Sequence, residues 1–444
     1  MFGTKVLKVL VLMYKRECRK VINPSPVLYA NHEGINEGRV VLHSDLNNFF
    51  ASVECKRRPE LAGFPVAVCG SKKDRHGIVL AKNQLAKQCG IATGQAIWQA
   101  KQKCKDLFVI EPDYEEYVKF SRAAKKIYLD YSDRVESFGM DEAWIELTGD
   151  RRVKTLSDGV KKADEIRRRI KKELGITVSV GVSDNKVFAK LASDYKKPDA
   201  VTLFGPDNYF DVVSKIDIGE MLFVGKNTKK RLNQSGIATI GGAAQANMLF
   251  IKSMFGEVGV RIYCDACGFN MDKVEKNGER AEIKSVGNSV TLAHDLKDYQ
   301  DVKEVFHALS EKVAYRLRKD GFLGTTVQIS VRDTSLSTVE RRCSSSPTNN
   351  ALELAKCAEK LYRENFDVNI PVRSVGIRMT NLVKSGYVQN QWDMLDTSFE
   401  KSERRAIIDR TLDEVRKRYG VGCVKRAVNC VGKEYRIGER FEIT

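Results

Sequence analysis

The apolar positions of this chain follow two patterns, short strand-like runs and longer stretches with a helical period. Val40-Val41-Leu42 is a continuous apolar run and Ile176–Val182 is rich in β-branched residues, which is typical of buried strands. Residues 113–133 and 156–174 repeat apolar positions three and four apart, which predicts two helices with one buried face. Residues 135–149 indicate a strand, a tight turn and a second strand. This half of the chain is therefore predicted to mix sheets with covering helices.

The second half of the chain shows the same mixture in a definite order. From residue 286 to about residue 383 the pattern predicts strand, helix, strand, strand, helix, strand, with helices at 302–319 and 351–365. This succession is the plan of a ferredoxin-like domain. The strand and helix pattern of residues 39–69 and 113–203 predicts the same plan. The chain is thus predicted to be an α+β protein with more than one domain.

Two further stretches have a character of their own. Residues 204–272 are helical in pattern, and Lys273–Ser285 is polar and charged throughout, which predicts a linker. On one strand of the second half, Gln328, Ser330 and Arg332 share a face. They are placed to meet phosphate groups, although ordinary exposure to solvent explains each of them equally well.

Length and charge point to a large protein with an anionic partner. At 444 residues the chain exceeds one ordinary hydrophobic core. Its net charge of +17 is large enough to favour a polyanionic partner over a merely solvated basic surface.

The cysteines indicate the cellular compartment. The 11 cysteines are odd in number and scattered, which predicts reduced thiols in a cytoplasmic protein. Cys264 and Cys267 are expected to pack in a core rather than to bind zinc.

The N-terminus resembles a targeting signal only superficially. An apolar run, Val6 to Met13, lies between lysines, but no small-residue cleavage site follows it cleanly. Residues 1–38 are therefore expected to form a poorly ordered extension, with an amphipathic anchor as the alternative. No stretch predicts a transmembrane span.

The candidate chemistry lies in three acids drawn from two distant stretches. Asp45 stands where the first strand should end, before Asn47 or Asn48, either of which can cap a helix. On this stretch alone, a buried aspartate that caps the helix is an equal alternative. Asp141 and Glu142 are adjacent at the turn of the second stretch. Three neighbouring carboxylates repel one another unless cations lie between them, and their hard oxygens suit Mg²⁺. Two such ions about 3.5–4 Å apart support in-line phosphoryl transfer.

Both stretches resemble a known family. HSDLNNFFASVE and FGMDEAWIEL look like the two catalytic motifs of the Y-family (translesion) DNA polymerases, and most closely those of the DinB (DNA polymerase IV) branch. NKVFAKLASDYKKPDA resembles a third, highly specific motif of the family, and the resemblance extends from about residue 39 to residue 425. It implies a right-hand polymerase with a ferredoxin-like palm, small fingers, a helix-hairpin-helix thumb and a ferredoxin-like little finger. The expected boundaries are palm at 39–69 and 113–203, fingers at 70–112, thumb at 204–272, linker at 273–285, little finger at 286–385 and a C-terminal tail at 386–444.

The resemblance also implies roles for individual residues. Asp45, Asp141 and Glu142, with the carbonyl of Leu46, are expected to hold two Mg²⁺ ions. Phe50 corresponds to the family's steric gate, which excludes a ribose 2′-hydroxyl. For its neighbour Phe49, packing in the core is a strong alternative. The residues expected to bind the nucleotide are Phe49, Phe50, Gln84, Lys87 and Lys197. Gln84 and Lys87 replace a tyrosine and an arginine of the family, so the grip on the triphosphate is expected to differ.

The implied reaction is low-fidelity, template-directed addition of dNTPs to a primer 3′-hydroxyl in translesion synthesis and DNA repair. The implied partners are primer–template DNA and dNTPs. The protein is expected to be a monomer and not to associate with a membrane. The thumb hairpin corresponds to Val224–Asn227, and an amphipathic basic helix is predicted in the tail at Glu403–Tyr419. Gln391, Trp392, Met394 and Leu395 resemble a peptide that binds the sliding clamp. Two alternatives stay open, namely a nucleotidyl cyclase-like palm enzyme and a non-catalytic DNA-binding relative.

Overall fold

The structure is a computed structural model that describes residues 38–71, 77–270, 272–279, 282–387, 398–420 and 423–424. The chain divides into two compact units. The first contains the described residues up to Cys69 together with Val79–Glu279, and the second contains the remainder. Within the described ranges, no helix has both the length and the apolar character of a membrane span.

The elements of the first unit alternate between short strands and helices. In chain order they are β1 (Val41–Leu46), α1 (Phe49–Arg57), β2 (Val66–Cys69), β3 (Val79–Lys82), α2 (Gln84–Gln88), α3 (Ile97–Lys103), β4 (Phe108–Ile110), α4 (Tyr114–Leu129), β5 (Val135–Ser137), β6 (Glu142–Glu146), α5 (Leu156–Leu174), β7 (Val178–Ser183), α6 (Lys186–Tyr195), β8 (Val201–Leu203), α7 (Lys226–Gln234), α8 (Ile240–Gln245), α9 (Met248–Phe255) and α10 (Glu257–Ala266). The predicted helix at 156–174 has the predicted bounds, and the one predicted at 113–133 spans Tyr114–Leu129, between its N-cap Asp113 and its C-cap Asp130.

The palm is a five-stranded sheet with strand order β5-β6-β1-β7-β8. β1 is antiparallel to both β6 and β7, and all six of its residues are buried. The succession β1-α4-β5-β6-α5-β7 with strand order β7-β1-β6-β5 confirms the predicted ferredoxin-like plan. Helices α4 and α5 cover one face of the sheet, through residues such as Tyr117, Ile127 and Ile166.

The fingers are a three-stranded sheet with order β3-β2-β4, packed with α2 and α3. β2 is its middle strand, antiparallel to β3 and parallel to β4. The fingers sheet therefore includes Val66–Cys69, which the sequence boundary at residue 70 had assigned to the palm. The sequence missed this because strand pairing, not proximity along the chain, decides to which sheet a strand belongs.

The thumb is a small helical domain built from α7 to α10. Its core contains Leu232, Ile240, Ile251 and Ile262, and Phe188 of α6 contributes to the same cluster. The predicted hairpin at Val224–Asn227 leads directly into α7, after a single 3-10 turn at Ile218–Glu220. The helix before the hairpin is thus one short turn rather than a full α-helix.

The predicted linker is pinned to the palm over its first seven residues. Val274 is fully buried in a cluster with Val41, Trp144 and Ala189. The backbone carbonyl of Val274 also accepts a hydrogen bond of 3.2 Å from Arg134 Nη1. The charged composition of this stretch concealed one apolar anchor, so residues 273–279 belong to the first unit.

The second unit has the predicted succession of strands and helices. Its elements are β9 (Ser285–Leu296), α11 (Tyr299–Lys319), β10 (Phe322–Asp333), β11 (Thr338–Thr348), α12 (Ala351–Asn365), β12 (Val372–Lys384) and α13 (Ser398–Tyr419). The strand order is β11-β10-β12-β9, so the first strand lies at an edge rather than inside as in the palm. Helices α11 and α12 share one core with the inner face of this sheet. On β10, Val327, Ile329 and Val331 are buried, as the predicted alternation requires.

The C-terminal helix α13 docks on the second unit through polar contacts. Asp409 is buried and accepts hydrogen bonds from Asn350 Nδ2 (2.9 Å) and Ala351 N (3.2 Å) at the start of α12. Asp413 accepts two hydrogen bonds from Arg318, at 2.6 and 2.8 Å. The helix is confirmed, but the apolar stripe expected of an amphipathic helix is not, since Ile407 and Ile408 are more than half exposed.

Candidate active site

The three predicted acids lie at the same end of two neighbouring inner strands of the palm sheet. Asp45, the second-last residue of β1, lies directly opposite Glu142, the first residue of β6. Leu46 N donates a 3.0 Å hydrogen bond to the carbonyl of Asp141, which ties the turn to the end of β1. Gly139, with a φ of 97°, supplies the left-handed backbone that this turn requires. Residues that lie far apart in the chain are thereby neighbours.

Helix α4 holds the acidic turn from the other side, which sequence reasoning missed. Lys125 Nζ donates a 3.0 Å hydrogen bond to the carbonyl of Gly139, and Ser121 Oγ donates to the carbonyl of Met140. Ser121 and Lys125 are four residues apart and therefore share a helix face. The only signal in the sequence was a serine at a buried position of an otherwise apolar stripe.

The three carboxyl groups differ in their tendency to ionise. Burial raises the pKa of Asp45 to about 7, and the ammonium of Lys197 opposes that rise without cancelling it. Burial also raises the pKa of Asp141, with a further rise from the charge of Glu142. Burial disfavours the charged form of Glu142 too, but the nearby imidazole of His43 and the hydrogen bond and charge of Lys190 outweigh it and lower its pKa to about 2. Asp45 and Asp141 therefore ionise less readily than exposed aspartates, and Glu142 ionises more readily than an exposed glutamate.

Helix α6 and the turn after it bring cations to these acids. Lys190 Nζ lies 2.7 Å from Glu142 Oε2, and Lys197 Nζ lies 2.6 Å from Asp45 Oδ2 and 2.7 Å from Asp194. The helix can approach because β7 has Gly181 beneath it. A Cβ at Gly181 would stand 1.9 Å from the carbonyl oxygen of Ala189. Lys197 was predicted to belong to the site, and its contact with Asp45 is a finding of the structure.

A buried histidine joins the same network. His43 is fully buried on β1, with Nδ1 2.8 Å from Ser193 Oγ and Nε2 3.5 Å from Glu142 Oε2. Burial lowers the pKa of His43, which favours the neutral ring. A polar residue inside an apolar run was the signal that sequence reasoning left unused.

The donor set suits a hard divalent cation, although the side chains of the described residues are arranged as ion pairs. No group of three or more His, Cys, Asp or Glu side chains in the described ranges surrounds a common point. Instead, lysine ammonium groups neutralise Asp45 and Glu142. The oxygens of Asp45, Asp141 and Glu142 are ligands that such a cation prefers, and its charge would relieve their mutual repulsion and the cost of their burial.

The two adjacent phenylalanines have different surroundings. Phe49 is 3% exposed and belongs to the palm core, which leaves it no surface for a nucleotide. Its expected role in nucleotide binding is therefore replaced by packing. Phe50 is half-buried, and its ring stacks on Tyr117 with centroids 4.2 Å apart and lies edge-on to Tyr114. The aromatic pair fixes the orientation of the Phe50 ring.

The remaining predicted residues lie on the fingers or outside the described ranges. Gln84 and Lys87 are both exposed on α2, whose first turn is capped by Asn83. Their side chains can reach a ligand in solution, and their role in nucleotide binding stays a prediction. The candidate clamp-binding residues Gln391, Trp392, Met394 and Leu395 lie outside the described residues, as do residues 1–37.

This fold and this site define a class, that of polymerases with a palm that carries paired acids. The sequence profile of the impB/mucB/samB family matches residues 44–194, and that of the C-terminal domain of the same family matches residues 283–392. DNA polymerase IV of Acetivibrio thermocellus is 44% identical over 391 residues, which are 88% of this chain and 97% of that protein. DNA polymerase IV 1 of Bacillus subtilis is 34% identical over 400 residues, which are 90% of this chain and 95% of that protein.

A solved structure agrees in fold. A chimera of the Y-family DNA polymerases Dbh and Dpo4 superposes with a TM-score of 0.69 and 23% identity, over 78% of this chain and 99% of the chimera. The chain belongs to the Y-family of translesion DNA polymerases, in the DinB, or DNA polymerase IV, branch. It is therefore a DNA-directed DNA polymerase that acts on primer–template DNA and dNTPs and depends on divalent metal ions. The cyclase-like and non-catalytic alternatives are set aside by this membership.

Proposed function

We propose that this polymerase transfers nucleotides with two Mg²⁺ ions held by Asp45, Asp141, Glu142 and the carbonyl of Leu46. The observation that supports this most directly is the register that sets Asp45 opposite Glu142, with the Asp141 carbonyl bonded to Leu46. When bound, such ions lower the pKa of the primer hydroxyl and compensate charge on the triphosphate. The chain's own contribution is to hold four oxygen donors on two paired strands and on the turn that leads into the second of them.

Lys197 is the residue proposed to receive the charge of the leaving pyrophosphate. Its ammonium lies 2.6 Å from the Asp45 carboxylate, and its side chain is only partly exposed. The attraction between an ammonium group in such a place and a phosphate is stronger than in water, because less solvent screens it. Lys87, exposed on α2, and Gln84 on the same helix are proposed to assist at the triphosphate from the fingers.

Phe50 is proposed to select the sugar. Because Tyr117 and Tyr114 fix the ring, it cannot turn aside to admit a 2′-hydroxyl, and a hydroxyl pressed against a ring face also loses its hydrogen bonds. The small fingers, with three short strands and two short helices, enclose little volume around a new base pair. Weak enclosure favours low fidelity, since pairing alone discriminates poorly.

The outer face of the sheet in the second unit is the proposed DNA surface there. Gln328 on β10 lies opposite Arg342 of β11 and Arg378 of β12, so three polar side chains form a row across the sheet. The next row contains Ser330, between Glu340 of β11 and Gly376 of β12, and Glu340 accepts a 2.8 Å hydrogen bond from Gln328 Nε2. Two arginines against one carboxylate leave these rows with a net positive charge, which suits contact with a phosphate backbone.

Three further expectations stay predictions. The peptide around Gln391–Leu395 is proposed to bind the sliding clamp, which would retain a weakly gripping enzyme through effective concentration. The protein is proposed to act as a monomer and in the cytoplasm. None of the nine cysteines in the described part of the chain forms a disulfide, which suits a reducing compartment.

Primer extension with Asp141→Ala tests the proposed site. The variant should lose extension with Mg²⁺ on both intact and abasic templates, by at least about a thousandfold, because one donor of the metal set is gone. Binding of labelled primer–template DNA should stay within a few-fold of the parent protein. Full extension by Asp141→Ala would show that the acids have been misassigned.

A further inference from the structure

The turn that carries Lys197 is fixed to the palm by its backbone. Asp199, two residues after Lys197, has a φ of 52°, a left-handed conformation that aspartate tolerates. Its N–H donates a 2.9 Å hydrogen bond to Asn47 Oδ1. Asn47 is itself nearly inaccessible, and its N–H and Nδ2 donate to Thr177 O and Ser179 Oγ, each at 2.9 Å. Asn47, which follows Leu46 at the end of β1, thus fixes the position of this turn relative to the palm sheet.

The side chain of Asp199 is fixed separately, by helix α5. Arg167 Nη1 donates to Asp199 Oδ1 at 2.8 Å, and Lys171 Nζ donates to Asp199 Oδ2 at 2.8 Å. Arg167 is held in turn by Asp164, which accepts from its Nε at 3.0 Å and from its Nη2 at 2.8 Å. The arginine side chain is only 22% exposed, so its fork is oriented at both ends.

We propose that Arg167 is a positioning residue for nucleotide transfer. Through Asp199 it holds the Lys197–Asp199 turn in the place where the Lys197 ammonium meets Asp45. The inference rests on the function proposed above for Lys197. Arg167 itself lies on the helix that covers the palm sheet and has no contact with any of the three acids among the described residues, so it acts only through the turn.

The neighbouring residue supplies a matched comparison. Arg168 also pairs with Asp164, with Nε 2.8 Å from Asp164 Oδ2, but it is mostly exposed and makes no contact with Asp199 among the described residues. Arg167→Ala and Arg168→Ala therefore remove the same charge and the same partner of Asp164. Only the first also removes a partner of the Asp199 carboxylate. Lys171 alone then remains on the Asp199 carboxylate, and an exposed lysine fixes it weakly.

The experiment is single-nucleotide insertion kinetics with the full chain, Mg²⁺ and primer–template DNA at saturation. Arg167→Ala should raise the KM for dNTP by roughly tenfold, the scale of small misplacements at active sites. Arg168→Ala should leave this KM within about twofold of the parent value. In a Lys197→Ala background, Arg167→Ala should change nothing further, because the two act as a unit. Asp199→Gly, which suits a left-handed backbone and removes only the carboxylate, should reproduce the effect if Arg167→Ala folds poorly.

The outcomes separate positioning from mere stability. A decrease in folded protein lowers kcat in proportion and leaves the KM for dNTP unchanged, and that result for both Arg167→Ala and Asp199→Gly overturns the inference. Equal behaviour of Arg167→Ala and Arg168→Ala overturns it as well. If Lys197→Ala leaves insertion unchanged, the proposed function of Lys197 fails and this inference fails with it. If Lys197→Ala weakens insertion and Arg167→Ala does not, only the inference about Arg167 fails.

Discussion

Side chains of one type behave differently in this protein because their surroundings differ. Phe49 and Phe50 are consecutive, yet the first is a core residue and the second presents a ring fixed by two tyrosines. Asp45 and Glu142 are cross-strand partners, yet burial raises the pKa of Asp45, whereas the nearby imidazole of His43 and the hydrogen bond from Lys190 lower the pKa of Glu142. The motif predicted the residue types, and the neighbours decide their chemistry.

Phe50→Ala tests the sugar gate. Removing the ring opens space beneath the sugar, so the ratio of ribonucleotide to deoxyribonucleotide insertion should rise by about tenfold or more, equivalent to about 1.4 kcal/mol of discrimination. Competing insertion of rNTP and dNTP opposite one template base measures it. Phe49→Leu, a change within the core, is the control and should lower stability without altering that ratio. An unchanged ratio in Phe50→Ala would assign the gate to another residue.

Asp45→Asn tests how much stability the protein loses by ionising the buried Asp45. The pKa of Asp45 in the folded chain is about 7, against an ordinary value of 3.8, so the folded state keeps a proton that the unfolded state loses between these pH values. The free energy of unfolding therefore falls as the pH rises through that window. The variant should melt higher than the parent by at least about 2 °C at pH 8, and by little at pH 4.

Thermal unfolding in a chelator, at both pH values, measures this difference. Asp133→Asn is the control, because Asp133 is exposed and the ammonium of Lys276 lowers its pKa. It should give no gain at pH 8. A gain for Asp45→Asn that is equal at pH 4 and pH 8 would show that ionisation is not the cause.

At the scale of elements, the apolar pattern predicted helices and strands well and their partners less well. The helices at 156–174 and 351–365 have the predicted bounds, because a regular apolar period is a local property. The assignment of β2 to the fingers and the attachment of the linker were missed, because both depend on distant partners. One buried valine, Val274, attaches an otherwise charged stretch to the palm.

Val274→Asp tests that attachment. It places a carboxylate among Val41, Trp144 and Ala189, so the free energy of unfolding of the first unit should fall by at least about 2 kcal/mol. Denaturant unfolding followed by tryptophan fluorescence measures it, since Trp144 is in the cluster. Lys276→Ala, on the exposed side of the same stretch, should change stability by less than about 0.5 kcal/mol. Equal stability of Val274→Asp and the parent would mean that residues 273–279 are a free linker after all.

At the scale of the whole molecule, part of the net charge of +17 lies on one sheet face of the second unit, which is the proposed DNA surface there. Arg342 and Arg378 flank Gln328 on the outer face of the sheet, whereas α11 and α12 cover its inner face. The polyanionic partner predicted from charge is DNA. The geometry of the sheet, rather than the count of lysines and arginines, decides which of those charges can act together.

Salt dependence of DNA binding tests this surface. The double variant Arg342→Ala/Arg378→Ala should reduce the slope of log K against log salt by about 1–2, because each arginine that neutralises a phosphate releases about one counterion. Titration of labelled primer–template DNA at several salt concentrations measures it. Arg363→Ala, on α12, removes an arginine from the helical side and should leave the slope unchanged. A slope that falls equally in both variants would indicate a diffuse effect of charge.

The sequence by itself determined the succession of strands and helices, the three acids and the family, because periodicity and motif spacing are local and need no partner. It did not determine which lysine meets which acid. Lys197 and Asp45 are 152 positions apart, and their 2.6 Å contact exists only because α6 lies on Gly181 and Asn47 holds the following turn. Such contacts join residues that the chain separates, so only tertiary packing decides them.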